Sequence, residues 1–193
     1  FYIPFLGGCL MSKKALIVVD YSYDFVADDG KLTCGEAGQA IEPFIVERIQ
    51  SYHQSKENIF FMMDLHYEND PYHPETKSFP PHNIEGTHGR DLYGRVQEIY
   101  NQIKDESHVY FIDKRRYDAF YGTPLDSLLR ERHVDTLEIV GVCTDICVLH
   151  TAASAYNLNY QLIIPKNGVA SFNLTGHEWA LTHFKDTLGA AVE

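Results

Sequence analysis

The chain has 193 residues with 45% hydrophobic and 22% charged side chains, a balance suited to one soluble globular domain with a sizeable core. A formal net charge of −11 argues against a nucleic-acid partner or an anionic membrane surface, while leaving a small anionic product open. No apolar run approaches the roughly 20 residues of a membrane span.

Taken from the start, Phe1–Leu10 lacks the basic region and cleavage site of a secretion signal and reads as an expression-derived remnant ahead of a plausible initiator, Met11. Residues 11–193 then read as a single domain. Apolar strand-like runs cover 15–19, 58–63, 109–112, 137–140 and 160–164, and a short last strand is expected within 189–192. Helical patterns fall between them, near 36–54, 90–104, 124–132, 145–158 and 175–187. Nearly continuous Val/Ile/Leu/Phe strands imply a sheet covered on both faces. Their alternation with helices predicts an α/β, Rossmann-like, three-layer α/β/α fold with a mainly parallel six-stranded sheet and right-handed crossovers. The long stretch 65–89 breaks the rhythm. It holds Pro71, Pro74, Pro80, Pro81 and His66, His73, His82 and His88, and a long loop of this kind is usually functional.

In a parallel sheet every strand delivers its C-terminal end to one edge, where ligands bind. Asp20, Asp64, Lys114 and the turn carrying Cys147 all follow predicted strands, so the topology gathers them although they are far apart in sequence. Cys147 falls in the first turn of the helix expected over 145–158, where unpaired N–H groups and the helix dipole favour a thiolate nucleophile. Asp20 directly ends an apolar run, and its desolvation suits a general base. A buried Lys114 ammonium would stabilise both anions, while Asp113, on the opposite face of the strand, is expected to make a structural hydrogen bond. Asp64-x-His66 offers two ligands from an extended segment, and His82 can return from the long loop as a third; Glu75 and His73 are further candidates. One carboxylate and two imidazoles suit zinc, iron or manganese. Phe25, Leu32, Phe79 and Tyr117 offer apolar walls to a flat ligand. The cysteines Cys9, Cys34, Cys143 and Cys147 fit neither a disulfide framework nor a zinc knuckle, which points to a reducing, cytoplasmic setting, with a Cys143–Cys147 redox pair as the lesser alternative.

Several short motifs occur in a fixed order: Ala15-Leu-Ile-Val-Val-Asp20 with Asp24-Phe25, Asp64-x-His66, Pro80-Pro81-His82-x-x-x-Gly86-Thr87, Asp113-Lys114, and Gly141-Val142-x-Thr144-Asp145-x-Cys147-Val148. In that order the chain resembles the isochorismatase-like cysteine hydrolases, and within them the nicotinamidases (pyrazinamidases), over essentially all of residues 14–192. The resemblance implies a catalytic triad of Asp20, Lys114 and Cys147. It also implies one divalent metal, zinc foremost, on Asp64, His66 and His82, with Glu75 as a fourth ligand directly or through water. A cis peptide between Val142 and Cys143 and an oxyanion hole from the backbone N–H groups of Cys143 and Cys147 are expected from it. The implied activity is hydrolysis of nicotinamide, and of pyrazinamide, through a cysteine thioester in NAD salvage. A small-molecule substrate and a homo-oligomeric assembly are the implied partners. Another small-amide hydrolase of the family, and a non-catalytic metal- or ligand-binding protein on this scaffold, are the competing readings. The chain departs from the family pattern at Ser22, where Gln is common, and at Asn83, where Cys is common.

Overall fold

The computed structural model describes residues 11–193; Phe1–Leu10, read above as a remnant, and Cys9 with them, lie outside the described residues. The sheet is parallel throughout. Its strands are β1 (Lys14–Val19), β2 (Asn58–Asp64), β3 (Val109–Lys114), β4 (Thr136–Val142), β5 (Gln161–Ile164), β6 (Val169–Ala170) and β7 (Ala191–Val192). The spatial order is β3-β2-β1-β4-β5-β7, and the two-residue β6 pairs with the end of β4, an addition to the six strands expected.

Period-two alternation along β1 separates two cores. Ala15, Ile17 and Val19 face α5 (Leu125–Glu131), α6 (Leu149–Asn157) and α7 (Leu174–Asp186), where they meet Leu129, Ala152 and Phe184. Leu16 and Val18 face α3 (Glu42–Gln54) and α4 (Gly94–Ile103), where they meet Ile45, Ile49, Val96 and Ile99. Two short helices, α1 (Tyr23–Val26) and α2 (Gly35–Ala40), cap that second side near the strand ends. The single helix expected over 36–54 is two, because α2 ends at Ile41 and Pro43 starts a new first turn.

The central strands β1, β2 and β4 are buried residue by residue, apart from the first residue of β1. β3 lies at the sheet edge and alternates, with Phe111 and Asp113 outward and Lys114 inward. No helix among the described residues is long and apolar enough to cross a membrane.

Candidate active site

Strand register builds one wall of the site. Asp64 and Lys114 are the last residues of β2 and β3 and sit side by side in register. Asp20 follows β1, with its amide donating to the Met62 carbonyl (3.0 Å) and its backbone left-handed at φ 52°, a conformation Asp tolerates better than most residues. β4 runs further than the sequence suggested. Gly141 lies inside it, at φ 123° and directly beside Val19, and the peptide from Val142 to Cys143 is cis.

The turn after β4 differs from the expected start of an ordinary helix. Thr144–Val148 forms a single wide π-helical turn that carries Cys147, and α6 begins only at Leu149. Thr144 is buried and hydrogen-bonds His177 of α7 (2.7 Å), while Asp145 accepts from Ser171 (2.7 Å), so the start of the turn is pinned from two sides of the chain.

Asp20, Lys114 and Cys147 meet at this edge, and all three are buried. The Lys114 ammonium lies 2.7 Å from Asp20 Oδ2 and 3.6 Å from Asp64 Oδ1, and donates to the Arg116 carbonyl (2.8 Å). Asp20 Oδ1 accepts from the Asp64 backbone N–H (2.8 Å). Burial raises the Asp20 carboxyl to about 6 against the pull of Lys114. Burial opposes the Lys114 charge too, but Asp20, Cys147 and Asp64 outweigh it and keep the ammonium protonated well above its ordinary range. The thiol behaves differently from the sequence expectation. Burial pushes Cys147 well above the ordinary thiol range despite Lys114, because Asp20 and Asp64 add negative charge beside it. The resting group is therefore a thiol next to a carboxylate, and the proton has somewhere to go only at the moment of attack.

The second half of the site comes from the long loop. It contains two short 3₁₀ turns, Pro74–Lys77 and His88–Arg90, and returns beside β2 as a parallel bridge between His66 and Ile84. That bridge brings His82 back to His66. Asp64, His66, Glu75 and His82 are all buried, and one potential ligand atom from each lies within 4.8 Å of the others. His66 Nε2 is 2.6 Å from Asp64 Oδ2 and 3.2 Å from Glu75 Oε2; His82 Nε2 is 3.6 Å and 3.3 Å from the same two oxygens. His82 Nδ1 donates to the Pro80 carbonyl (2.7 Å), which fixes the tautomer that leaves Nε2 free to ligate.

This donor set fits a divalent cation. Asp64 Oδ1 is buried without a hydrogen-bond partner. Burial favours the neutral imidazole, yet Asp64 and Glu75 hold His82 up to about 10; burial likewise opposes the Glu75 charge, yet His66 and His82 hold that carboxyl at about 2. Protons thus sit where a cation would replace them. His73, a further candidate from sequence, lies one layer out. Its Nε2 donates to the Arg115 carbonyl (2.6 Å) and its Nδ1 accepts from the Glu75 N–H (3.2 Å), so it braces the turn that carries Glu75.

One narrow cavity, open to solvent at its mouth, joins the two halves. Asp64, Glu75 and His82 of the cradle line it together with Cys143 and Cys147, and Phe25, Leu32, Phe79 and Tyr117 give it apolar walls. Few polar groups among apolar and aromatic walls suit a small, flat ligand. Sequence reasoning missed Ile146 and Phe172, which also line it: Ile146 sits in the π turn just before Cys147, and Phe172 follows β6, which the sequence did not announce. Asp113 pairs with Arg90. Cys34, Cys143 and Cys147 are free thiols, so the Cys143–Cys147 pair of the redox alternative is not joined, and Cys143 Sγ lies 3.4 Å from Cys34 Sγ.

The family model of the isochorismatase domain matches residues 14–193. The nicotinamidase/pyrazinamidase PncA from Bacillus subtilis is 51% identical, with 93% of this chain and 98% of that one covered and a TM-score of 0.92. The nicotinamidase SaPncA from Staphylococcus aureus is 58% identical over 95% of this chain and 99% of that one, with a TM-score of 0.84. A pyrazinamidase of Pyrococcus horikoshii, solved in complex with zinc, is 26% identical over 94% and 98% of the two chains, with a TM-score of 0.81.

Proposed function

We propose that this chain, which belongs to the isochorismatase family, is an amidohydrolase that converts nicotinamide to nicotinate and ammonia, accepts pyrazinamide as well, and works in the cytoplasm in NAD salvage. The observation that carries this reading is the shared cavity: Cys147, with Asp20 and Lys114 behind it, and three of the four cradle residues, Asp64, Glu75 and His82, belong to one apolar-walled pocket. The similarity to nicotinamidases and pyrazinamidases of known structure supports it.

The ring lies between Phe25, Leu32, Phe79 and Tyr117, which exclude water from both of its faces. A zinc ion held by Asp64, His66, Glu75 and His82 would supply a Lewis-acidic anchor for the ring nitrogen. The carboxamide carbon then faces Cys147. Asp20 takes the thiol proton as Cys147 Sγ attacks, which is the order that a raised thiol and a neighbouring carboxylate dictate. The backbone N–H groups of Cys143 and Cys147 receive the developing oxyanion; loss of one such donor typically costs about 10²–10³ in rate. Asp20 returns its proton to the departing ammonia, leaving a thioester; it then takes a proton from the water that attacks the thioester and passes it to the Cys147 sulfur as nicotinate leaves, which restores the resting thiol. Lys114 holds its charge throughout and stabilises Asp20 and the sulfur in turn.

The test is metal analysis of purified protein together with an ammonia-release assay on nicotinamide, pyrazinamide and a panel of other small amides. Release from the two pyridine-type amides by zinc-loaded protein is the expected result. No release from either, with release from an unrelated amide, would reassign the substrate.

A further inference from the structure

Asn83 touches the backbone of every residue that brings a donor atom from β2 or from the returning loop, apart from Glu75. Its carbonyl accepts from the His66 N–H (3.0 Å), its side-chain amide reaches the Asp64 carbonyl (3.5 Å), and it is covalently next to His82. Its own backbone N–H donates to Asp24 Oδ2 (2.8 Å), and its side-chain oxygen accepts from Ser22 Oγ (2.9 Å). Asn83 and Ser22 are both fully buried. Asn83 stands at φ 47°, in the left-handed region that Asn occupies more readily than most residues.

Ser22 and Asn83 are 61 residues apart in sequence, and a buried hydrogen bond joins them. Ser22 lies two residues beyond Asp20, and Asn83 one residue beyond His82. Their bond therefore ties the strand end that carries the base to the loop that carries the last ligand. A polar side chain with no solvent access that spends its oxygen on one segment and its amide on another fixes their separation.

We infer that Asn83, held by Ser22, is a positioning residue that sets Asp64, His66 and His82 at the spacing of a cation cradle. It touches no reacting atom and acts through the ligands. The inference rests on reading those residues as metal ligands, and the experiment separates the two.

The measurement is calorimetric titration of metal-stripped protein with zinc chloride alone, for wild type, Asn83→Gly, Ser22→Ala and the double variant. Glycine retains the left-handed backbone and removes only the side chain. Each single variant is expected to bind zinc about 10–100-fold more weakly, the range typical when a ligand's outer support is lost. The double variant should bind zinc no more weakly than Asn83→Gly by more than about threefold, because for the ligands both changes cut the same link; Ser22→Ala also removes the side-chain cap of α1, where Ser22 Oγ accepts from the Phe25 N–H (3.4 Å), and that loss is read in its melting temperature. Melting temperatures of the metal-free proteins should differ from wild type by less than about 4 °C, and kcat at saturating zinc should return to within about threefold of wild type, which separates positioning from general damage. Equal zinc affinity in wild type, Asn83→Gly and Ser22→Ala would overturn the inference. Failure of the wild-type protein itself to take up zinc would instead overturn the cradle reading, and the inference with it. Should Asn83→Gly fail to fold, Ser22→Ala decides alone, since Ser22 sits on extended backbone at φ −99°, ψ 165°.

Discussion

Replacing Gly141 with alanine should damage both the stability and the chemistry of this protein. Gly141 is in β4, in register with Val19 of β1, at the point where both strands deliver their chemistry to the site. A Cβ built on it would overlap the Val19 carbonyl oxygen and lie 2.8 Å from the Val19 carbonyl carbon and 2.9 Å from its nitrogen. These are backbone atoms in the middle of a sheet and cannot rotate away. At φ 123° an L residue is also strained, a cost of about 1–3 kcal/mol. Forcing extra volume into a packed interior costs a further ~1–3 kcal/mol, so the total is about 2–6 kcal/mol. Guanidinium unfolding should report it as a lower midpoint with an unchanged slope. Relief requires β1 and β4 to separate, which moves Asp20 away from the turn holding Cys143 and Cys147. A displacement near 1 Å costs about 10²-fold in rate, so ammonia release from nicotinamide should fall at least that far even where the variant is fully folded. A Gly141→Ala protein with unchanged unfolding free energy and undiminished ammonia release would refute the close strand approach on which this reasoning stands.

Cys147→Ala should release no ammonia while still binding nicotinamide, measurable by calorimetry; near-full hydrolysis by this variant would move the nucleophile from sulfur to a metal-activated water. Stripping the protein with a chelator should abolish turnover and zinc should restore it, whereas His82→Ala, which leaves Asp64 and Glu75 short of one imidazole, should raise the zinc requirement and the KM for nicotinamide. Arg48→Ala tests the opposite combination. The Arg48 guanidinium grips Glu138 through two bonds (2.6 and 2.8 Å), and Tyr52 donates to the same carboxylate (2.8 Å), far from the cavity. Glu138 is buried while Arg48 is partly exposed, so losing the pair should cost about 2–4 kcal/mol in denaturant unfolding, with kcat within about twofold of wild type.

The architecture was legible because its signals were long. Six apolar strands alternating with helical patterns leave few topologies, and a parallel sheet then gathers Asp20, Asp64, Lys114 and Cys147 without any knowledge of their contacts. What the sequence hid was short or came from backbone geometry. The four residues of α1, held by the Ser22 cap, are too few to display a helical period. The π turn at Thr144–Val148 has the same apolar spacing as the first turn of α6. The Cys147 thiol defied the expected helix-start effect because burial, together with two nearby carboxylates, outweighs a partial positive charge that fades within one turn. Spacing alone left Glu75 and His73 level as candidates and the family resemblance pointed to Glu75; the fold of the loop turns Glu75 inward and makes His73 its brace.

Asp64 explains why the two halves of the site cannot be altered independently. Its carboxylate belongs to the cation cradle, yet its backbone N–H is the donor that orients the Asp20 carboxyl, and its second oxygen faces the same Lys114 ammonium that Asp20 holds. Its carbonyl is gripped in turn by Arg90 (2.8 Å) and reached by Asn83. A cation charge added at the cradle is therefore felt at the base through one residue, and a shift of the base moves the cradle. In such an arrangement loss of a ligand side chain is read in kcat as well as in KM, whereas loss of an outer support that leaves all four ligands in place is repaired by saturating zinc. His82→Ala should thus lower kcat even at saturating zinc and nicotinamide, while a variant that altered KM alone would mean the two halves are linked only through the substrate.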